Sequence, residues 1–302
     1  MKKDMKYPYI WALPFTLCLI LYTTFTLLEA FVLPSDVVRA EDQTSVSTSA
    51  SDSDNSSAVI TDSSYKAYGI SITITEKTLA DTQVYIADIY LDDPSVLLSG
   101  LADGSFGRNI SDKTSSIAQE VGAILAINGD YYGFRDSGYV MRNGYLYRST
   151  AASSSQEDLV IYEDGTFDII DESDVTAEEL QAAGAVQIYS FGPGLVEDSE
   201  LSVTESQEVS QSMTSNPRTA IGMIEKGHYV MVVSDGRTSE SEGLTLYQLS
   251  RVMQDLGCSE AYNLDGGGST TMYFNGQVIN NPTTTGRSIK ERSVSDIIYI
   301  AG

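Results

Sequence analysis

Two cysteines and one histidine are all that 302 residues offer to thiol, disulfide or imidazole chemistry. Cys18 lies inside an apolar N-terminal run, which leaves Cys258 alone in the rest of the chain, so an exported domain has no intramolecular disulfide available. Cys258 follows a helical pattern and reads as a small core residue, not a catalytic thiol. His228 follows a turn on the side of its strand away from Arg237, so it reads as a bystander and lends no support to a serine–histidine triad. Positive charge is scarce as well: 18 Lys and Arg stand against 42 Asp and Glu, a net charge of −24. So acidic a surface excludes nucleic acid and anionic membrane surfaces as partners, and any anionic substrate must be met by a local basic site. There is no internal repeat, which leaves one large domain or two small ones, and 42% hydrophobic residues suffice for a sizeable core.

The N-terminus has the form of an export signal. Lys2, Lys3 and Lys6 precede an apolar run from Tyr9 to about Leu33, interrupted by Glu29, which predicts a cytoplasmic N-terminus and an outward-facing remainder. The run is long enough to cross a bilayer as a helix. Leu28-Glu29-Ala30 and Val38-Arg39-Ala40 resemble cleavage sites, but its length favours an uncleaved anchor. Residues 1–40 are therefore a signal peptide or membrane anchor, with the remainder at the cell membrane facing outward, or secreted if the signal is cleaved. Residues 41–64 are Ser, Thr, Asp and Ala with almost no large apolar side chain, and read as a solvated, disordered spacer. Asn55-Ser56-Ser57 and Asn109-Ile110-Ser111 fit the glycosylation sequon.

Residues 65–302 read as a single globular α+β domain with mixed β-sheets and a few packed helices. Tyr68–Ile74 alternates as a half-buried strand and Val84–Leu91 is a second. Lys113–Val121 is a short helix capped by Ser111 or Asp112, and Ala123–Ile127 is a continuously apolar strand covered on both faces. Hairpins turn at Asn143-Gly144, Asp164-Gly165 and Asn275-Gly276. Ala177–Ala183 is a helix ended by Gly184, and Tyr247–Leu256 a helix ended by Gly257. Residues 197–211 are polar and acidic and read as a mobile excursion. The last strand is Ile297–Ile300.

Chemistry concentrates in three places. The run Ala261–Met272 enters as a strand, stops at Asp265, and continues as Gly266, Gly267, Gly268, Ser269, Thr270 and Thr271. Glycines that free the backbone can let an anion rest on N–H groups, with hydroxyls adding donors and Asp265 aimed at whatever the loop holds. A plain glycine turn is the alternative. Asn128-Gly129-Asp130-Tyr131-Tyr132-Gly133, at another strand end, suits a carbohydrate: amide and carboxylate for hydroxyls, rings for the apolar face. Its alternative is a loop whose tyrosines pack onto the core. Arg218 and Arg237 stand at the mouths of core strands, with planar donor forks that match phosphate oxygens, unless they serve as surface salt bridges.

In order along the chain, Asn128-Gly129-Asp130-Tyr131-Tyr132, Asn216-Pro217-Arg218-Thr219-Ala220-Ile221-Gly222, Asp235-Gly236-Arg237, Asn263-Leu264-Asp265-Gly266-Gly267-Gly268-Ser269-Thr270 and the late Glu291-Arg292 resemble the phosphodiester glycosidase family over residues 65–301. Asp130 departs from the glycine expected before the aromatic pair. The resemblance implies an exported hydrolase that cleaves the glycosidic bond of a sugar-1-phosphodiester of the N-acetylhexosamine type in cell-surface glycan or polysaccharide. Such a leaving phosphate needs charge stabilisation more than the proton that ordinary glycosidases supply from a second carboxylate. Asp265 would be nucleophile or base, with Asn128 and Asp235 orienting sugar hydroxyls and Glu291 a reserve acid/base. Arg218, Arg237, Arg292 and the loop from Gly266 to Thr270 would hold phosphate. Asp130 would join the substrate contacts or, with Asp265, hold a divalent cation; the sequence establishes no metal or cofactor. Two other readings stay open: a non-catalytic module binding anionic cell-wall glycan, and a phosphodiesterase that cuts P–O.

Overall fold

Turn residues decide where the strands begin. In the computed structural model, which describes residues 11–40, 58–152, 155–209 and 214–301, Tyr68 and Gly69 both have positive φ. That turn moves the start of the first long strand to Ile70, and it runs on to Leu79 instead of ending near Ile74. It pairs with Thr82–Leu91, which is followed in the same nine-stranded sheet by His228–Ser234, Arg218–Glu225 and Glu260–Leu264. A five-stranded sheet is built around Ala123–Asn128, flanked by Met272–Phe274 and Asp296–Ala301. Another contains Val140–Arg142, Ala185–Tyr189 and Glu157–Tyr162. Among the described residues every strand pairing is antiparallel, and helices cover sheet faces, as in an α+β domain.

Strand alternation builds the layers. Ile72, Ile89, Ile221, Met231 and Leu264 face inward from the large sheet, and meet Leu125, Ile127 and Ile298 of the second sheet and Leu159 and Ile161 of the third. The opposite parity, including Val84, Val230, Val232 and Ala220, lies under helix Leu246–Asp255 together with Cys258. Each buried Val, Leu, Ile or Met among these contributes roughly 1.5–3 kcal/mol. The Thr245 hydroxyl accepts from Gln248 N, while the Gln248 carboxamide oxygen accepts from Thr245 N, so this helix starts on a capping box. Helix Thr114–Glu120 starts otherwise. Neither Ser111 nor Asp112 caps it; the Glu291 carboxylate accepts from Ser115 N (2.9 Å) and Ser115 Oγ (2.6 Å), a partner 176 residues away.

The N-terminal helix spans Ala12–Phe31, long and apolar enough to cross a membrane, with none of its residues buried. Strand Ser35–Arg39 after it pairs with Ser105–Arg108, and Asn109 Nδ2 donates to the Leu33 carbonyl at 3.0 Å. Of the expected spacer, residues 41–57 lie outside the described residues. Val59–Ile60 pair with Tyr65 and Lys66, so the sheet begins ahead of Tyr65. Of the expected excursion, 210 and 211 also lie outside the described residues. Its first part is tied down: Glu200–Leu201 pairs with Val196 and Glu197, and Val203 is buried.

One buried acid makes stability depend on pH. Asp158 is fully buried, beside Glu172 and Ser190. Glu172 lies nearby and accepts from Tyr139 N and Ser190 Oγ. Burial first, and then the Glu172 charge, push Asp158 well above the ordinary 3.8. The folded chain therefore keeps a proton that the unfolded chain releases, and stability falls as pH rises above the usual carboxylate range. Asp158→Asn should flatten the decline of Tm as pH rises above the usual carboxylate range. Melting curves with the same slope in both proteins would contradict this.

Candidate active site

Four strand ends converge at the seam between the nine-stranded sheet and the five-stranded sheet built around Ala123–Asn128. Thr219 pairs with Leu264, and Ile297 with Asn128, which brings Arg218, Asp265, Asn128 and Asp296 to one end of the molecule. Asn128 joins the sheets. Its Nδ2 donates to the Asp265 carbonyl at 2.7 Å, its Oδ1 accepts from Thr219 Oγ1 and Thr271 N, and it is wholly buried. Asn128 therefore fixes the backbone under Asp265; its amide is not free to orient a sugar.

Above this seam lies a cavity of about 370 Å³ whose wall includes Asp265, Gly266, Gly267, Arg218, Arg237 and Arg292. Asp265 Oδ2 accepts from Arg292 Nη2 at 2.9 Å and from Ser269 Oγ at 2.5 Å. Burial raises the Asp265 pKa above the ordinary 3.8, opposed by Arg292 and Ser269. Arg237 donates to neutral acceptors, Asn216 Oδ1 and the Thr284 carbonyl, and among the described residues no carboxylate pairs with it. Burial and the nearby Arg292 lower its pKa. Arg218 is paired: Glu208 Oε2 accepts from Nη2 at 2.6 Å and the Leu244 carbonyl from Nε.

The glycine loop shapes this wall more than it donates to it. Gly267 N donates to the Pro217 carbonyl, Ser269 N and Thr270 N donate within the loop, and Thr271 N donates to Asn128. Gly267 has φ +62, and a Cβ there would stand 2.8 Å from Arg237 Nη2. Gly267→Val should therefore displace the guanidinium, weakening anion binding by about tenfold or more, roughly 1.4 kcal/mol. Titration with a phosphodiester tests this, and unchanged affinity would refute it. Thr270 is buried, with its hydroxyl on Thr219 and its carbonyl on Asn280.

Asp130, Asp235 and Glu291 lie outside the cavity wall, as do Asn128, Gly268, Ser269 and Thr270. The Asp235 carboxylate accepts from Asn281 N and Nδ2, Asn280 Nδ2 and Tyr85 OH, and so holds the 280–281 turn. Glu291 is spent on Ser115. Asp130 Oδ2 accepts from Arg142 Nη2 (2.8 Å) and Ser190 N, and Oδ1 from Tyr132 N, so it neither lines the cavity nor pairs with Asp265 around a cation. Among the described residues no group of three His, Cys, Asp or Glu side chains could hold a metal ion. Arg142 also donates from Nε to Asp296 Oδ2 at 2.7 Å, completing a buried Asp–Arg–Asp triad. Burial disfavours the Arg142 charge, but the two carboxylates outweigh it and hold the guanidinium ionised. Burial pushes Asp296 up to about 7, opposed by Arg142. Gly129 admits the triad, because a Cβ there would collide with the Asp296 carboxylate.

Part of the wall is aromatic. Tyr131 and Phe191 line the cavity with Arg135, whose guanidinium lies 5.8 Å and 5.4 Å from their ring centroids and donates to the Ser190 carbonyl. Tyr132 instead is buried, with its hydroxyl on the Ser295 carbonyl. Asn263 also lines the cavity. Its Nδ2 donates to the Gly192 carbonyl at 2.8 Å, which fixes the amide's orientation and leaves buried Oδ1 without a donor among the described residues. Sequence reading missed Arg135, Phe191 and Asn263 as site residues. Only Asn263 carried a signal, standing two residues before Asp265 in a quoted motif.

A family model described as phosphodiester glycosidase matches residues 121–301. The chain is 32% identical over 202 residues to the SPbeta prophage-derived uncharacterized protein YomE of Bacillus subtilis (strain 168), covering 65% of this chain and 30% of that protein. It is 26% identical over 211 residues to N-acetylglucosamine-1-phosphodiester alpha-N-acetylglucosaminidase of Mus musculus, covering 63% and 40% respectively. The chain thus spans less than half the length of these curated relatives. Among solved structures, the zebrafish N-acetylglucosamine-1-phosphodiester alpha-N-acetylglucosaminidase catalytic domain, auto-inhibited by its pro-peptide, shares the fold at TM-score 0.61 and 22% identity, over 77% of this chain and 83% of that one. A hypothetical protein from Synechocystis matches at TM-score 0.55 and 14% identity, over 76% and 62%.

Proposed function

Because the chain belongs to the phosphodiester glycosidase family, we propose that it hydrolyses the glycosidic bond of a sugar-1-phosphodiester of the N-acetylhexosamine type, as a protein anchored in the membrane and acting on surface glycan. The observation that carries this reading is the cavity's charge: the ionisable acid Asp265 stands among arginines, of which Arg237 has no carboxylate partner among the described residues. A bound phosphodiester would supply the missing negative charge.

The sugar would sit against Tyr131 and Phe191, and one of its O–H or N–H groups would satisfy Asn263 Oδ1. Arg237 and Arg292 would hold the phosphate. The bond between C1 and the bridging oxygen breaks, and the phosphate monoester departs with the electron pair, stabilised by the guanidinium groups without a proton donor. Asp265, made more basic by burial than an exposed aspartate, either takes the proton of a water that attacks C1, or itself attacks C1 to form a glycosyl ester that water then hydrolyses, restoring the carboxylate. Helix Ala12–Phe31 would remain as the anchor, since the strand that follows it is paired into the domain. A mature N-terminus at residue 31 or 41 would contradict that.

Hydrolysis of the methyl phosphodiester of N-acetylglucosamine 1-phosphate in 18O-water tests the chemistry. Label in the free sugar supports C–O cleavage, and label in phosphate would establish the P–O phosphodiesterase instead. Binding without turnover would leave a glycan-binding module. Arg237→Lys should lower kcat/KM about tenfold, roughly 1.4 kcal/mol of lost transition-state stabilisation, because an ammonium cannot form the planar fork. Wild-type kinetics in that variant would reduce Arg237 to a wall residue.

A further inference from the structure

A second crevice, of about 440 Å³, shares Arg292 with the cavity just described. Its wall also includes Lys113, Thr284, Lys290 and Glu291, and the Thr284 carbonyl is the acceptor for Arg237 Nη1 at 2.6 Å. The two hollows therefore meet along Arg292 and the Arg237–Thr284 contact. Arg292 commits Nε and Nη2 to Ser269 and Asp265, which leaves Nη1 as a donor without a partner among the described residues. The crevice's one carboxylate, Glu291, has both oxygens on Ser115. Neither Lys113 nor Lys290 is in an ion pair among the described residues, where the paired lysine is Lys226. In a chain of net charge −24, uncompensated cations gathered beside the site are the exception to its surface.

The geometry points to a second anion subsite, so that the substrate is a chain of successive phosphodiesters: one phosphate on Arg237 and Arg292, and the next on Lys113 and Lys290. A substrate with a single phosphate would leave both lysines unused, whereas consecutive phosphates place a charge in each hollow with Arg292 between them. This rests on the hydrolysis proposed above and names its substrate class.

The test uses the full-length chain in detergent micelles and two probes. One is the methyl phosphodiester of N-acetylglucosamine 1-phosphate; the other is a tetramer of N-acetylglucosamine 1-phosphate units joined by phosphodiesters. In the Lys113→Gln/Lys290→Gln variant, KM for the tetramer should rise about tenfold or more, while the methyl substrate changes by less than about twofold. The tetramer's KM should also rise with ionic strength in the wild type and lose that dependence in the variant. Turnover of both probes with no selective loss on the tetramer would overturn the subsite and leave the hydrolysis intact. If neither probe is turned over, the hydrolysis falls and equilibrium binding of the tetramer decides the subsite. Weaker binding by the variant supports it; equal binding overturns it.

Discussion

Asp265→Asn is expected to lower kcat by about three orders of magnitude while leaving a phosphodiester bound at least as tightly as before. The amide keeps an oxygen for Arg292 Nη2 and Ser269 Oγ, so the wall of the cavity should hold its shape. What disappears is the negative charge, which a nucleophile and a base both need and which repels a bound phosphate. Burial raises Asp265 above 3.8 in spite of Arg292. The acid limb of the wild-type kcat profile should therefore lie above the ordinary aspartate range, because activity requires the ionised form. That limb should vanish from the variant's residual activity. Turnover and binding titrations on one preparation, with melting curves, decide the matter. An Asp265→Asn protein with wild-type kcat would remove Asp265 from the chemistry.

The largest loss of stability is expected from Arg142→Met. Methionine fills much of the space but leaves Asp130 and Asp296 facing each other in a region where both side chains are fully buried. Breaking a buried ion pair from one side costs about 3–5 kcal/mol, which lowers Tm by on the order of 10 °C in a domain of this size. Asp130→Asn combined with Arg142→Met should recover part of the loss, since only one buried acid is then left without its partner. Chemical denaturation of the single and double variants measures this. A loss below about 1 kcal/mol for Arg142→Met would show that the triad contributes little. Because Asp130 also sets the loop that carries Tyr131 into the cavity wall, KM should rise in the single variant even where the protein remains folded.

The local patterns that sequence alone determined are those in which neighbours in the chain are neighbours in space. The apolar runs Val84–Leu91 and His228–Ser234 marked two strands of the large sheet, and the spacing of Leu246, Leu249 and Met253 marked the helix that covers one of its faces. The place of Asp265, Arg218 and Arg237 in the cavity wall was legible for the same reason: each stands at or just beyond a strand end with a glycine near it. Tertiary structure decided which polar groups remain available. Asp130, Asp235 and Glu291 look as promising in the sequence as Asp265, yet each is consumed by donors from distant segments: Arg142 and Ser190, Asn280 and Asn281, and Ser115. Conversely, Arg135 enters the wall through a contact with the Ser190 carbonyl, 55 residues away, which no local pattern announces. A carboxylate's chemistry depends on what its lone pairs already accept, and those partners are chosen by the fold.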